Sequence, residues 1–437
     1  MGACGESRAP PFDFVLFRVS RILLADADAF FVAVTRSVDP EGAGKAPLLI
    51  VGGRPGSRGV VCSASYETRA FGVRSAMSIA QALRLCPDAM CVPVPRQACA
   101  DASRSIRRVL ERFTPVVEGA SIDEWYLDLT GTEALYHHEP LDTTARRIRT
   151  TVRSETGLSL SIGGGSNRLI AKLAAERAKP SRSPSAEGVC IVPDGGELAF
   201  MEGATLAEIP MIGPKLQERL RAVGLVTVRD VLAHDLATLE RWVGAKTAAW
   251  LFDRVRGRGG SAVEARDRSR QISREETFGR DITDPGRLLS ELRHLGSKVA
   301  GDLRSAGLAA RTITVKLRTS DFETHSAGAT LRESVESDRG VTDPAEALLA
   351  KLRAKHRGPV RLVGVSLSNL TEARAAEQLA MFEAPAEAGL VPERERDRDL
   401  SRAVDRVREK FGDDAIRTGP PRRVPIGEKG AKRPRRG

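Results

Sequence analysis

Hydrophobic and polar residues follow two different periods between residues 20 and 180. Residues 22–25 form a short apolar run that predicts a buried strand, and residues 125–129 and 158–162 alternate as strands do. Residues 104–113 have the spacing of a basic amphipathic helix. The pattern also predicts a strand at 47–51 and a helix at 76–86. Strands mixed with helices in this way predict an α+β or α/β core.

Beyond residue 180, the composition and the apolar pattern divide the sequence into several further segments. Residues 181–258 predict short helices broken by glycine, and the polar stretch 259–270 predicts a linker. Residues 271–370 predict a compact α+β module, with helices at 286–306 and 344–356 and strands at 312–318 and 361–367. Residues 371–437 are predicted to form a tail with a helix at 400–410 and a basic, disordered end, and residues 1–19 are predicted to be an N-terminal extension. The chain is therefore predicted to be an α+β multidomain protein.

Charge and cysteine content narrow the class of protein. The 437 residues carry a formal net charge of +11, which favours a polyanionic partner such as nucleic acid. No apolar run approaches the roughly 20 residues that span a bilayer, and residues 1–11 lack the pattern of a signal peptide. None of the six cysteines forms a C-x-x-C pair, which argues against a zinc site. We therefore expect a cytoplasmic protein with reduced thiols and no membrane partner.

Two acidic clusters lie at the ends of predicted strands. Asp26 and Asp28 follow the apolar run 22–25, and Asp123 and Glu124 precede the strand at 125–129. Magnesium prefers hard oxygen ligands, and in-line displacement at a phosphate uses two such ions held by converging carboxylates. A surface turn or a cap is the commoner meaning of one Asp-x-Asp pattern. Two such clusters beside apolar strands in one domain favour a metal site.

The acidic clusters belong to an ordered set of motifs that resembles the Y-family, or translesion, DNA polymerases and, within them, the bacterial members. The resemblance covers about residues 20–370. It is carried by residues 25–31 (ADADAFF), 65–74 (SYETRAFGVR), 121–124 (SIDE), 167–174 (NRLIAKLA), 178–180 (AKP) and 273–278 (SREETF).

This resemblance implies a right-hand fold and assigns roles to residues of the catalytic segment. Residues 20–180 are expected to form the palm and small fingers, 181–258 a helical thumb, and 271–370 the little finger. Two Mg²⁺ ions are implied, with Asp26, Asp123 and Glu124 as catalytic ligands and the backbone carbonyl of Ala27 as a further ligand. The implied contacts with an incoming deoxynucleoside triphosphate are Ser63, Tyr66, Arg69 and Lys179, and Phe31 is the implied steric gate against a 2′-hydroxyl. Asp28 is expected to be structural, and Thr35 stands where the family often has Glu.

Contacts with primer–template DNA are expected outside the catalytic segment. Residues 209–216 (IPMIGPKL) resemble a helix-hairpin-helix element, so Gly213 and Lys215 are expected to meet a phosphate; residues 244–246 are a weaker second copy. In 312–318, Lys316 and Arg318 share the polar face with Thr312 and Thr314. An ordinary glycine turn and a solvated sheet face are the alternatives.

The tail contains a short motif that resembles the peptide by which bacterial polymerases bind a sliding clamp. Its residues are Gln378, Leu379, Met381 and Phe382. Clamp binding is therefore expected, and a packing segment is the alternative. The protein is expected to be a monomer that associates with the bacterial nucleoid when it is on DNA.

The sequence thus predicts a magnesium-dependent, template-directed DNA polymerase of low fidelity that acts in lesion bypass. One alternative is a non-catalytic DNA-binding accessory factor on the same fold, but such relatives lose the metal carboxylates. Another is a nucleotide cyclase or a related two-metal transferase on a similar palm. The helix-hairpin-helix and little-finger motifs argue against it.

Overall fold

The computed structural model describes residues 20–180, 187–264, 270–373, 393–412 and 415–416. The chain divides into two compact units, residues 1–266 and 267–437. Within the described ranges, no helix is both long and apolar enough to cross a membrane.

The first unit combines two sheets with a helical part. Its strands and α-helices in chain order are β1 (Ile22–Ala27), α1 (Phe30–Val38), β2 (Leu49–Gly52), β3 (Val61–Ala64), α2 (Tyr66–Ala70), α3 (Ile79–Leu85), β4 (Met90–Pro93), α4 (Arg96–Leu110), β5 (Val117–Gly119), β6 (Glu124–Asp128), α5 (Leu141–Thr156), β7 (Leu160–Gly165), α6 (Arg168–Ala178), β8 (Val189–Ile191), α7 (Glu197–Glu202), α8 (Pro214–Ala222), α9 (Val228–Leu232), α10 (Leu236–Val243) and α11 (Ala245–Val255). Short 3₁₀ helices lie at Glu133–Tyr136 and Leu206–Glu208. The predicted strands and helices of residues 20–180 are all present, with shifted ends; α4 begins eight residues before its predicted start.

The larger sheet has the strand order β5-β6-β1-β7-β8, so β1 lies at its centre. Helices cover both of its faces. Leu23 and Ala25 pack into a core with α4 and α5, whereas Ile22 and Leu24 pack against Tyr126 and against α6. Every residue of β1 is buried, which explains why its sequence is continuously apolar up to Asp26. The smaller sheet, β3-β2-β4, corresponds to the predicted small fingers.

Gly163 of β7 allows the backbone of α6 to lie very close to the strand. A Cβ added at Gly163 would lie 1.9 Å from the amide nitrogen of Ala175 and 2.3 Å from the carbonyl oxygen of Ala171. These are backbone atoms, so the helix itself would have to shift to admit a methyl group. The other side of α6 contributes Leu169, Leu173 and neighbouring residues to the core of the helical part. One helix therefore joins the sheet to the predicted thumb.

Part of the predicted linker packs against the sheet unit. Val263 is buried beside Ile22 and Tyr126. The guanidinium of Arg168 lies 4.0 Å from the centroid of the Tyr126 ring, forms a bidentate salt bridge with buried Glu118, and donates to the Ala262 carbonyl. Residues 259–264, which the sequence predicts to be part of a linker, are thus packed against the sheet. The polar composition of this stretch does not reveal that Val263 is buried or that Arg168 holds the Ala262 carbonyl.

The second unit is a sheet covered on one face by two helices. Its elements are β9 (Gln271–Ile282), α12 (Pro285–Ser305), β10 (Leu308–Thr319), β11 (Thr324–Val335), α13 (Asp338–Lys355), β12 (Val360–Glu372) and α14 (Glu395–Phe411). The strand order is β11-β10-β12-β9. Strands β9 and β11 were not predicted, because their exposed, polar residues give no clear apolar alternation. The predicted start of α13 at Pro344 is also wrong, since Ser337 caps the helix and Pro344 lies inside it.

Helix α14, which was predicted as part of a tail, docks on the second unit through buried polar groups. The Arg304 side chain, only 6% exposed, contacts Asp405 of α14, Asp338 and the Glu336 carbonyl. Arg408 is buried and donates to the Ser297 hydroxyl. Buried charges must be paired, so α14 is held in one orientation by this network rather than by an apolar face.

The close contact between α6 and β7 leads to a stability prediction. Gly163→Ala should lower the free energy of unfolding by about 1–3 kcal/mol, because the added methyl group would displace α6. Gly119→Ala is a matched control in the same sheet, since nothing lies within 4 Å of a Cβ at Gly119. Urea denaturation followed by circular dichroism measures both. Equal stability of the two variants would contradict the packing argument.

Candidate active site

Two of the three predicted metal carboxylates are direct neighbours across the sheet. Asp26, the penultimate residue of β1, pairs with Glu124, the first residue of β6. Residues directly opposite in an antiparallel pair project to the same face. The third acid, Asp123, precedes β6, and its backbone carbonyl accepts a hydrogen bond of 2.9 Å from the Ala27 amide. The four predicted ligands therefore lie on adjoining segments at one corner of the sheet.

Two lysines of α6 and its C-terminal end neutralise this acidic corner. The Lys179 ammonium lies 2.9 Å from Asp26 Oδ2, and the Lys172 ammonium binds Glu124 and lies 3.7 Å from the same oxygen of Asp26. Lys179 also contacts Glu176, at 2.6 Å. From the sequence, Lys179 was predicted as a triphosphate contact, whereas Lys172 was given no role.

Burial dominates the electrostatics of Asp26. The residue is 4% exposed, and desolvation raises its pKa to about 6, although Lys179 and Lys172 act in the opposite direction. Burial by itself would lower the pKa of Lys179, but attraction to Asp26 and Glu176 outweighs it, so this pKa is raised. The pKa of Lys172 is raised as well, against the effect of burial, by Glu124 and Asp26. Both lysines are therefore cations at neutral pH.

Asp28 is held by the neighbouring strand. Its two carboxylate oxygens accept hydrogen bonds from the hydroxyls of Ser159, at 2.8 Å, and Ser161, at 2.6 Å. Its backbone amide donates to the Ser159 carbonyl. These contacts fix the turn between β1 and α1, which agrees with a structural role for Asp28.

The acidic corner supplies suitable donors for a metal but not a preassembled cage. Among the described residues, no group of three or more His, Cys, Asp or Glu side chains stands close enough together to hold an ion. The donors are carboxylate and carbonyl oxygens, which are the kind that magnesium takes. The present charge balance is achieved with ammonium groups instead. The chemical type of these donors fits a divalent cation.

The other three predicted triphosphate contacts, Ser63, Tyr66 and Arg69, lie on β3 and α2 beside this corner. Burial raises the pKa of Tyr66, Asp28 raises it further, and Arg69 and Lys179 act against that shift, so these groups share one electrostatic environment. The Arg69 guanidinium lies 5.0 Å from the Tyr66 ring centroid and donates to the Ala64 carbonyl. Ser63 is buried in β3.

Two adjacent aromatic residues, Phe30 and Phe31, follow β1 and differ in their burial. Phe30 is buried in the core between the sheet and α4, whereas Phe31 is only partly buried. The two rings meet edge to face, with centroids 5.6 Å apart. The hydroxyl of buried Thr35 donates to the Phe31 carbonyl at 2.6 Å, so this residue is satisfied within its own helix.

Two hairpins in the helical part expose capping glycines. Gly213 precedes α8, Gly244 precedes α11, and neither helix has a side-chain cap. An unsatisfied first-turn amide is available to an anion. The first residue of α8 is Pro214, which has no N–H, so fewer amides can donate there than in α11. Lys215 and Lys246 lie exposed in these first turns.

In the second unit, the predicted division of β10 into two faces is confirmed. Ile313, Val315 and Leu317 are fully buried under the helices. Lys316 and Arg318 project to the other face, where they contact Glu275 and Thr324, respectively. The proposed clamp motif, residues 378–382, lies outside the described residues.

Comparisons with known proteins agree with this architecture. The impB/mucB/samB family matches residues 25–176, and the C-terminal domain of that family matches residues 269–381. DNA polymerase IV of Dehalococcoides mccartyi is 34% identical over 401 residues, which cover 92% of this chain and 97% of the relative.

Solved structures show the same likeness. A Y-family DNA polymerase chimera of Dbh and Dpo4 has a TM-score of 0.70 and 26% identity, over 80% of this chain and 98% of that chain. The insertion ternary complex of Dbh DNA polymerase has a TM-score of 0.57 with the same identity and coverage. The family in general depends on a divalent metal ion. The chain therefore belongs to the impB/mucB/samB family, the Y family of DNA polymerases, and is a translesion DNA polymerase.

Proposed function

We propose that this polymerase adds deoxynucleotides to a primer 3′ end at the corner formed by Asp26, Asp123, Glu124 and the Ala27 carbonyl, which would hold two Mg²⁺ ions. The observation that carries the proposal is the cross-strand pairing of buried Asp26 with Glu124 beside Asp123. When bound, the ions would activate the primer hydroxyl and neutralise phosphate charge. The protein's part is to hold ionised oxygen donors at one place.

The same corner is suited to a triphosphate. Lys179 and Arg69 supply positive charge, and Tyr66 and Ser63 supply hydroxyls. Cationic and hydroxyl donors recognise phosphate oxygens through charge-assisted hydrogen bonds. The insertion ternary complex of the Dbh polymerase supports primer–template DNA and a deoxynucleoside triphosphate as partners of this chain.

The carboxylates give the main test of catalysis. Asp123→Asn combined with Glu124→Gln should reduce primer extension in magnesium by at least about a hundred-fold, because the donors lose their charge. Asp101→Asn, at an exposed position of α4 in the same unit, is the control and should extend primers normally. Gel-based primer extension and the melting temperature of each variant are measured.

Two results would contradict this assignment. Full activity of the double variant would exclude Asp123 and Glu124 as ligands. Absence of extension by the wild-type chain, with DNA binding intact, would favour the non-catalytic accessory factor.

Phe31 is proposed as the steric gate. Its ring is partly buried on the first turn of α1, directly after the acidic corner, and Phe30 supports it from the core. A ring fixed there would exclude a 2′-hydroxyl by clash rather than by attraction.

Removing the ring tests this role. Phe31→Ala should raise the ratio of ribonucleotide to deoxynucleotide incorporation about tenfold or more. Leu135→Ala is the control, since this exposed residue lies on the 3₁₀ turn at Glu133–Tyr136. Single-nucleotide insertion kinetics with both sugars provide the ratio. An unchanged ratio in Phe31→Ala would refute the gate.

The small fingers offer a physical reason for low fidelity and lesion bypass. The roof segment that contains β3 carries small or medium side chains: Val60, Val61, Cys62, Ser63 and Ala64. Such a roof would press weakly on the nascent base pair and leave space for a bulky template base.

The exposed glycine hairpins and the polar face of β10 are proposed to hold primer–template DNA through its phosphates. Such contacts position DNA without reading its sequence. Residues 378–382 are proposed to bind a sliding clamp. We also propose that the protein acts as a monomer in the bacterial cytoplasm, on the nucleoid.

Lys316 tests the sheet face as a DNA surface. Lys316→Ala should weaken DNA binding and reduce the slope of log affinity against log salt by about one. Lys351→Ala is the control, because Lys351 is exposed on α13, on the helical face of the same unit. Fluorescence anisotropy at several salt concentrations gives the slopes. Equal slopes for the two variants would argue against this surface.

A further inference from the structure

Lys172 occupies a position that the proposed reaction does not use. Its ammonium binds Glu124 and lies 3.7 Å from Asp26 Oδ2. It therefore faces the two carboxylates that pair across β1 and β6. A cation bound between these carboxylates would approach the space that this ammonium now fills.

Charge explains why a lysine lies there. Asp26 and Glu124 project to the same face, and the charge of Glu124 adds to the rise in the pKa of Asp26 that burial causes. Residues paired across two strands lie about 5 Å apart, and a buried carboxylate that close to a partly buried one requires a counter-charge. Lys179 supplies one positive charge to Asp26, and Lys172 supplies a second that reaches both acids.

The two lysines differ in their carboxylate partners. Lys179 has a second direct partner, Glu176, at 2.6 Å. Glu176 also acts electrostatically on Lys172, from which it is four residues away on α6. Side chains at this spacing are neighbours on a helix face. Lys172 therefore has an alternative carboxylate within reach if it leaves Glu124.

We propose that Lys172 is a resident counter-ion of the acidic corner, which a divalent cation must displace from Glu124 before the corner can bind it. The inference rests on the proposed metal site. Like charges a few ångströms apart repel strongly in a partly buried site, so the ammonium and the ion exclude each other. Lys172 stabilises the corner without metal and sets the affinity for the metal.

Binding of Mn²⁺ to the full chain tests the exchange. Lys172→Met keeps the aliphatic stem but removes the charge, so it should bind Mn²⁺ about tenfold more tightly than wild type and melt at a lower temperature in chelator. Lys172→Arg keeps the charge and should stay close to wild type. Lys45→Met, an exposed lysine of the same unit, is the control. Electron paramagnetic resonance of free Mn²⁺ and thermal melting are the two measurements.

The outcomes separate the two proposals. Tighter Mn²⁺ binding by Lys172→Met, lost again when Asp26→Asn is added, supports the counter-ion. Unchanged or weaker binding by Lys172→Met, while Asp26→Asn alone abolishes binding, overturns the counter-ion and leaves the metal site standing. Mn²⁺ binding that is insensitive to Asp26→Asn overturns both.

Discussion

The structure of the acidic corner depends on one carboxylate, that of Asp26, which is buried where an unpaired charge is energetically unfavourable. Asp26 lies one residue before the end of a strand that is buried on both faces, and its carboxylate must be matched by positive charge or by a metal. Helix α6 supplies that match through Lys172 and the adjoining Lys179. The helix can reach because Gly163 lets its backbone lie directly against β7. β1, Gly163 and α6 thus act together to pair the buried carboxylate of Asp26 with positive charge.

Helix α6 contacts three parts of the first unit: the sheet with the segment near Ala262, the helical part, and the acidic corner. At its N-terminal end, Arg168 pairs with Glu118 and holds residues near Ala262 against the sheet. Its middle packs into the core of the helical part through Leu169 and Leu173. Its C-terminal end meets Asp26. A displacement of α6 would therefore disturb the predicted thumb, the first residues of the predicted linker and the acidic corner together.

Much of this could be predicted from the sequence, and the failures have physical causes. The buried strands β1 and β6 and the acids beside them were predicted because burial leaves an apolar pattern and the motifs are specific. Strands β9 and β11 were missed because their exposed polar residues hide the period of two. Lys172 was missed because a lysine on a helix is usually solvated. Its spacing from Arg168, Glu176 and Lys179 marks a charged stripe that faces the acids, which becomes visible only if α6 is assumed to pack on the sheet.

The hairpin before α8 shows how a buried core can shape an exposed site. Ile209 and Ile212 are 2% and 3% exposed, and they anchor the chain on both sides of the turn. Between them, Met211 is 81% exposed and adopts the left-handed conformation with φ = 74°, which costs a non-glycine residue about 1–2 kcal/mol. Gly213, by contrast, has an ordinary φ of −77°, and no atom lies within 4 Å of the position that a Cβ would take, so the protein's own packing does not require glycine there. The core therefore imposes strain at Met211, while the open space at Gly213 leaves room for an anion near the N-terminus of α8, where Pro214 itself has no N–H to donate.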